Sequence, residues 1–180
     1  MIYVSKDGTR FVIRTARMSD LAEILRYFNG VIEERVPGLP FRKKYTLADE
    51  RKWLKGTVDG VRKGSRFYLL AETEGRIVGS AGLSYSSEEH ALDTRHMMVL
   101  GISVAEGYRG KGIGSELMRQ VIAWARKKRL DLLELNVYGT NTGAMRLYER
   151  FGFRKVAEIP FRTKRGNKYI SHVIMQLRLR

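Results

Sequence analysis

The sequence predicts a mixed α/β fold, and three observations lead to that prediction. Segments with strand periodicity alternate with segments of helical periodicity along the 180 residues. The nearly continuous apolar run Met97–Val104 is typical of a strand buried on both faces, and a glycine-rich turn follows it. An amphipathic helix and a further strand at residues 132–137 come next, and this strand–helix–strand order implies locally parallel pairing.

Terminal signals delimit the first strand and the first two helices. Residues 11–16 have a strand pattern, after which Ser19 or Asp20 can cap a helix whose apolar side chains recur every three or four positions. Thr46 and Asp49 resemble a capping box, which predicts that a second helix begins there. We expect Gly64 to end that helix, since glycine is common at helix C-termini.

The remaining elements continue the alternation. Glu74 and Gly75 separate two strand patterns as the turn of a hairpin. The further strands are predicted at residues 67–72, 76–83, 154–159 and 169–179, and the further helices at 113–125 and 144–151. No repeat or linker divides the order β-α-α-β-β-β-α-β-α-β-β, so we expect residues 1–180 to form a single domain.

Composition narrows the class of protein. The chain is 43% hydrophobic and 29% charged, as in a soluble globular protein, and no apolar run is long enough to cross a bilayer. The N-terminus lacks the apolar core of a signal peptide, so we expect a cytoplasmic location and no membrane partner. The chain has no cysteine, which excludes disulfides and a cysteinyl-enzyme intermediate. None of the three histidines sits at helical ligand spacing, so we predict no metal site.

The net charge of +15 has two interpretations. It suits an anionic partner, such as a nucleic acid, an acidic protein surface or a phosphate-rich cofactor, and it equally suits a solvated basic surface. Aromatic residues flank basic ones at residues 41–45, which raises the question of nucleic-acid binding. Because no base-reading motif is present, we expect no direct binding to nucleic acid.

The turn Arg109-Gly110-Lys111-Gly112-Ile113-Gly114 joins the apolar strand to the amphipathic helix. Its three glycines let backbone N–H groups approach a ligand without hindrance from Cβ atoms. The helix start adds free N–H groups and a partial positive charge, and the two basic side chains add full charges. This pattern predicts a pyrophosphate-binding turn.

The spacing of the glycines excludes the better-known phosphate loops. A Walker loop would need Lys-Ser or Lys-Thr after the second glycine, where Ile113 and Gly114 stand instead. A dinucleotide fingerprint that starts at Gly110 would need glycine at Ser115. A protein-kinase loop would lie between two strands, whereas a helix follows this turn.

Two motifs together resemble the GNAT superfamily of acetyl-CoA-dependent N-acetyltransferases. The first is Arg109-x-x-Gly112-x-Gly114 after an apolar strand. The second is Asn141-Thr142-Gly143-Ala144-Met145-Arg146-Leu147-Tyr148-Glu149-Arg150-Phe151-Gly152-Phe153, which is similar to the superfamily's Asn-x-x-Ala-x-x-Leu-Tyr-Glu-x-x-Gly-Phe. The two motifs lie in the expected order and separation, and the pair is more specific than either motif alone.

This resemblance implies a fold and a cosubstrate site. The fold is a central, mostly antiparallel mixed sheet that splays at its fourth strand, with about four flanking helices and acetyl-CoA in the gap. The backbone of the fourth strand would pair with the pantetheine arm, main-chain groups of the glycine turn would hold the pyrophosphate, and Asn141 would contact the arm. The implied cosubstrate-binding residues are Ile102, Ser103, Val104, Arg109, Gly110, Lys111, Gly112, Ile113, Gly114, Ser115, Asn141 and Tyr148.

Tyr148 is the candidate general acid. It matches the tyrosine that protonates the leaving CoA thiolate in many members of the superfamily, and an acid near the sulfur eases collapse of the tetrahedral intermediate. The other interpretation is a core aromatic residue, because Tyr148 shares the apolar stripe of Ala144 and Phe151.

The general base is missing from its usual place. Relatives with the pattern His-x-x-Glu-Leu-Gly-Ile carry a glutamate on this strand, and here Val99 takes its position. The candidates that remain are His96, which has a suitable ordinary pKa, Glu72 on a preceding strand, and Glu88 or Glu89 in a polar loop.

The resemblance implies an amine acceptor: a protein N-terminus, a lysine or a small amine. Ser171 stands where relatives often carry an aspartate, so an acidic contact to the acceptor is also missing. The alternative function is a catalytically weak acyl-CoA-binding or regulatory module. The sequence does not decide between a monomer and a homodimer. The residues that could line an acceptor site between the first two helices and the last hairpin are Glu33, Glu34, Tyr45, Tyr138 and Phe161.

Overall fold

All described strands belong to one sheet. The computed structural model describes residues 2–5, 7–34, 43–85 and 94–180. The strands are β1 (Ile2–Val4), β2 (Arg10–Thr15), β3 (Arg66–Thr73), β4 (Arg76–Ser84), β5 (Met97–Val104), β6 (Leu132–Tyr138), β7 (Arg154–Arg165) and β8 (Lys168–Arg178). Their order across the sheet is β1-β2-β3-β4-β5-β6-β8-β7, and every described neighbouring pair is antiparallel except β5 with β6.

The described part of the chain has four α-helices, which are α1 (Leu21–Glu33), α2 (Leu47–Lys63), α3 (Ile113–Lys127) and α4 (Thr142–Arg150). The signals predicted from the sequence mark both ends of the second one, whereas the side chain of Asp20 makes no cap hydrogen bond at the start of the first. At the start of α2, the hydroxyl of Thr46 accepts from the backbone N–H of Asp49, whose carboxylate accepts from the N–H of Thr46 in return. Gly64 ends the same helix with a φ of 74°, in the left-handed region.

Helices cover both faces of the sheet. Leu69 and Leu70 are consecutive in β3, so their side chains point to opposite faces. Leu69 lies in the larger core, which α3 closes, and Leu70 lies in a second core beneath α1 and α2. We call these two sides the α3 face and the α1 face. The mixed sheet with four helices is the architecture that the sequence and its resemblance predicted.

Three features differ from the sequence prediction. β1 is a three-residue edge strand with mostly exposed side chains, and it is too short to be predicted from hydrophobic alternation. β7 continues beyond residue 159 to Arg165, across an irregularity between Ile159 and Thr163. The prediction that Met97–Val104 is buried on both faces was wrong, because only Met98 and Leu100 on the α3 face are buried.

The same strand shows why the prediction of double burial failed. On the α1 face of β5, Val99 is only half-buried and Gly101 is exposed. The apolar side chains there line an opening in the sheet rather than a core. None of the described helices is long and apolar enough to span a membrane.

Candidate functional site

The sheet opens between β5 and β6. Met97, Met98 and Val99 pair with Leu132, Leu133 and Glu134, and the pairing ends there. β6 continues to Tyr138 along β8, while β5 continues along β4. Residues 100–104 of β5 therefore border a gap. The sequence did not predict β1, so β5 corresponds to the fourth predicted strand. The sheet therefore splays at the strand that the resemblance implied.

Backbone groups of β5 face this gap. Just after β5, the N–H of Ala105 donates to the carbonyl of Val78 in β4, at 2.9 Å. Since alternate residues of a strand direct their peptide groups to opposite edges, those of Ile102 and Val104 point toward the gap. These two residues were the ones expected to pair with a pantetheine arm. The carbonyl of Val104 already accepts a hydrogen bond from Nε of Arg109, at 2.8 Å.

Ser103 directs its side chain to the opposite side of the strand from these neighbours. Its hydroxyl lies 2.7 Å from the hydroxyl of Tyr27 on α1 and 3.3 Å from that of Ser80 on β4. Burial raises the pKa of Tyr27 to about 12, so its hydroxyl stays protonated at neutral pH. The side chain of Ser103 thus anchors β5 to α1, and its peptide groups point to β4, so the expectation that Ser103 binds the cosubstrate is not supported by this geometry.

The glycine turn presents an uncovered helix N-terminus. Gly110 and Gly112 have φ values of 75° and 93°, which favour glycine, and a Cβ atom built on either would meet nothing within 4 Å. Gly112 is the N-cap of α3 and supplies no side-chain cap. The N–H groups of Ile113, Gly114 and Ser115 therefore have no helical partner, and the open space beside them suits an anion.

Both basic side chains of the turn are paired with acids. Arg109 forms an ion pair with Glu34 at the end of α1, and a second oxygen of Glu34 accepts from the backbone N–H of Glu106 at 2.9 Å. Nζ of Lys111 lies 2.8 Å from a carboxylate oxygen of Asp7. The hydrogen bond from Lys111 is the main reason why the pKa of Asp7 lies well below its usual range. In this arrangement Arg109 braces the turn, and the main chain is what faces the open space.

The second motif forms the other wall of the gap. Asn141 caps α4, and its side-chain oxygen accepts from the N–H of Ala144 at 3.2 Å. A Cβ atom added to Gly114 of α3 would sit 3.5 Å from Leu147 of α4, an ordinary van der Waals contact, so the two helices are neighbours here. The first two glycines of the turn, by contrast, border open space that leaves room for a ligand.

Tyr148 lies on α4 with its side chain in the larger core, 7% exposed. Its ring packs against Phe153 with a centroid distance of 6.0 Å. Burial raises the pKa of Tyr148 to about 12, which keeps the hydroxyl protonated over the physiological range. Both sequence interpretations of Tyr148, the proton donor and the core aromatic, are compatible with this position.

The candidate bases lie apart from one another. His96 is exposed in the turn before β5, and its carbonyl accepts from the N–H of Asp131 at 2.8 Å. Glu72 pairs with Arg14, which also binds Asp20. Glu88 and Glu89 lie outside the described residues.

A buried acid that sequence reasoning missed lies on α2. Glu50 is 3% exposed, and its Oε1 has no hydrogen-bond partner among the described residues. Burial is the main cause that raises its pKa to about 7. The hydroxyl of Tyr68 is also buried and makes no hydrogen bond of normal geometry within the described chain. Burial raises the pKa of Tyr68, and the nearby hydroxyl of Ser80 offsets only part of that rise. No sequence signal marked Glu50, since it occupies an ordinary position in the first turns of a helix.

The predicted acceptor-lining residues are spread over several elements. Glu33 pairs with Lys44, and Tyr45 exchanges hydrogen bonds with Asn29, including one from its N–H to Oδ1 at 2.8 Å. Tyr138 is buried at the end of β6, where its ring packs against His172. Phe161 is 72% exposed on β7. Residues 41 and 42 of the basic, aromatic segment lie outside the described residues. The described part of the chain contains no cluster of three metal-ligating side chains.

A parted sheet beside a glycine-rich helix start is the kind of site that suits a pyrophosphate-bearing coenzyme. The model of the acetyltransferase (GNAT) family matches residues 28–153, well over half of the chain, and the chain belongs to that family. It is therefore an acyltransferase that uses acetyl-CoA, as its two motifs indicated.

Individual relatives agree with this assignment. The chain is 32% identical to streptothricin acetyltransferase of Streptomyces lavendulae, over 81% of this chain and 82% of that protein. It is 24% identical to an L-methionine sulfoximine/L-methionine sulfone acetyltransferase of Pseudomonas paraeruginosa, over 93% and 94% of the two chains.

Solved structures share the fold. An N-acetyltransferase of Staphylococcus aureus superposes with a TM-score of 0.83 over 94% of this chain and 99% of that chain, at 21% identity. A putative acetyltransferase of Salmonella typhimurium, solved with acetyl-CoA, superposes with a TM-score of 0.82 over 94% of each chain, at 20% identity.

Proposed function

We propose that the protein transfers the acetyl group of acetyl-CoA directly to the primary amine of a small molecule, within a ternary complex. The observation that carries this proposal is the juxtaposition of the β5–β6 gap with the uncovered N-terminus of α3. One end of the gap offers free N–H groups to a pyrophosphate, and its edge offers the backbone of Ile102 and Val104 to an extended arm. The absence of cysteine supports transfer without a cysteinyl intermediate.

The acceptor class follows from the relatives and from the missing acids. The relatives named above are acetyltransferases of streptothricin and of methionine sulfoximine and sulfone, which favours a small amine over a protein N-terminus or a lysine side chain. Val99 and Ser171 occupy two positions at which acids were expected, so the site is less suited to a strongly cationic acceptor.

In the proposed reaction the neutral amine attacks the thioester carbon, and the C–S bond breaks as the intermediate collapses. A backbone N–H of β5 at the gap stabilises the developing oxyanion. The hydroxyl of Tyr148, which stays protonated at neutral pH because burial raises its pKa to about 12, gives its proton to the departing thiolate.

Release of CoA thiol in the presence of amino acids, small polyamines and peptides tests this function. We expect turnover with at least one small amine and none without acetyl-CoA. Gly112→Glu should abolish CoA binding in calorimetry, because it places a carboxylate in the open space at the start of α3. Gly166→Glu is the matched control, because Gly166 is exposed in the β7–β8 turn and also has a positive φ of 58°, and it should leave binding intact. A protein that binds no CoA would contradict the proposal.

The second candidate function is an acyl-CoA-binding module with little or no turnover. Val99 favours it, because a valine at this position cannot accept a proton. Stoichiometric CoA binding without acetylation of any amine in the panel would support the module, and robust turnover would remove it.

A further inference from the structure

One carboxylate stands on the α1 face at the point where β5 and β6 part. Val99 and Glu134 are direct partners in the last pair of the β5–β6 ladder, and directly paired residues point to the same face of a sheet. The row continues from Val99 to Ser84 on β4 and from Glu134 to Gln176 on β8. Glu134 is the one acidic residue among these four positions.

Neighbouring groups hold this carboxylate in place. Nε2 of Gln176 donates to Oε2 of Glu134 at 2.8 Å, and the side chain of Glu134 is half-buried. By register, the charged or titratable side chains nearest to it on this face are Arg178, Arg154 and His172. None of these belongs to an ion pair with Glu134 among the described residues, so the carboxylate is positioned by a neutral amide.

Open space lies next to this carboxylate. Gly101 follows Val99 on the α1 face of β5, is exposed, and would meet nothing within 4 Å if it carried a Cβ. With a rise of about 3.3 Å per residue and a strand spacing of about 4.8 Å, the Cα atoms of Gly101 and Glu134 are about 8 Å apart. The Glu134 carboxylate is hydrogen-bonded to Gln176 on β8, on the other side of β6 from β5, so water would link it to a group above Gly101.

We propose that Glu134 is the general base of the acetyl transfer, a role that rests on the proposed function. An ammonium group above Gly101 loses one proton to the Glu134 carboxylate through water. The neutral nitrogen then forms the C–N bond as the C–S bond breaks. The nitrogen's second proton leaves with the thiolate by way of Tyr148, so the products are the amide, CoA thiol and one proton that Glu134 releases to solvent.

The other acids and bases of the chain fit this role less well. His96 lies three residues before Val99, about 10 Å farther from the open gap, and it is exposed to solvent. Glu72 is committed to Arg14. Glu50 lies on the buried face of α2, where an acceptor would have to displace core side chains to reach it.

Replacement of Glu134 by glutamine tests the proposal. With the best amine of the panel, we expect Glu134→Gln to lower kcat by about 10² to 10³-fold, with little change in the KM for acetyl-CoA. Asp131→Asn is the matched control, since this carboxylate lies three residues earlier and pairs with Arg180 at 2.6 Å. It should retain wild-type kcat.

The double variant Val99→Glu, Glu134→Gln separates catalysis from structure. It returns a carboxylate to the neighbouring strand on the same face, so it should recover at least tenfold of the activity lost in Glu134→Gln. A merely structural role for Glu134 would not be rescued in this way. Unchanged kcat in Glu134→Gln, or a larger loss in Glu50→Gln, would overturn the proposal.

Hydrolysis of acetyl-CoA without an amine distinguishes the two proposals. Suppose that the wild-type protein acetylates no amine but hydrolyses acetyl-CoA, and that Glu134→Gln slows the hydrolysis at least tenfold. The proposal of acetyl transfer to an amine is then wrong, and the proposal that Glu134 is a general base is supported. If amines are acetylated at a rate that Glu134→Gln does not change, Glu134 is not the general base, and the proposal of acetyl transfer to an amine is supported. CoA binding with no turnover in either assay overturns both.

Discussion

The buried carboxyl group of Glu50 should make the stability of the protein depend on pH. Its side chain is 3% exposed, and one of its oxygens has no hydrogen-bond partner in the described part of the chain. Burial and, to a lesser extent, the charge of Asp49 raise the pKa of Glu50 from 4.5 to about 7 in the folded state. Ionisation at neutral pH therefore opposes folding.

The sign and size follow from proton linkage. Between pH 4.5 and 7 the folded state binds the proton of Glu50 more tightly than the unfolded state does, so the free energy of unfolding falls as pH rises and levels off above pH 7. A pKa unit corresponds to about 1.4 kcal/mol, which gives roughly 3 kcal/mol for this group. Glu50→Gln removes the ionisation and hence this contribution to the pH dependence.

Urea unfolding followed by tryptophan fluorescence measures the effect, because Trp53 lies on α2 and packs against Tyr68. We expect the unfolding free energy of Glu50→Gln, relative to wild type, to rise by roughly 3 kcal/mol between pH 4.5 and 8. The exposed Glu74→Gln should shift stability by less than about 0.5 kcal/mol at either pH. A difference between Glu50→Gln and wild type that is constant across this range would refute the reasoning.

Two further predictions concern the coenzyme site. Tyr148→Phe should keep the packing on Phe153 and lower kcat by roughly 10- to 100-fold without changing KM. In the wild type, no loss of rate from ionisation of Tyr148 is expected below about pH 11, since its pKa is about 12. Steady-state CoA release measures both effects with Tyr3→Phe as the control, and an unaltered kcat would assign Tyr148 to the core alone. Glu34→Gln should weaken CoA binding by about 3- to 10-fold, which corresponds to about 1 kcal/mol, because Arg109 loses its ion-pair partner. Calorimetry measures the Kd, and an unchanged value would show that the turn holds its shape without the Glu34–Arg109 ion pair.

The sequence predicted most of the fold because local signals were strong. The capping box of α2, the glycine at its end and the apolar stripe of α3 each specify an element without tertiary information. β1 has only three residues, too few to show strand periodicity, and the second half of β7 is largely exposed, so the conformation of both depends on pairing with a neighbouring strand. These two segments could be predicted only from their pairing with neighbouring strands of the folded sheet.

The candidate site was predicted only where it is local in sequence. The glycine turn lies within six consecutive residues, and its geometry follows from glycine and helix physics. The pairing of Val99 with Glu134 joins positions 35 residues apart through a register that no periodicity reveals. The enclosure of Glu50 beneath α2 likewise depends on how the helix packs on β3. Ion pairs of Arg109 and Lys111 were also invisible, because their partners come from α1 and from the N-terminal turn.

The irregular edge strand β7 has a consequence for how copies of this protein behave when concentrated. An exposed, regular edge of twelve residues could template pairing with the edge of another chain. Here Pro160 has no N–H to donate, and Phe161 takes a left-handed φ of 57°, which interrupts the ladder between Ile159 and Thr163. Basic side chains before and after this break repel an identical strand. The distortion thus protects the protein against edge-to-edge aggregation, and restoring a regular strand there should reduce its solubility.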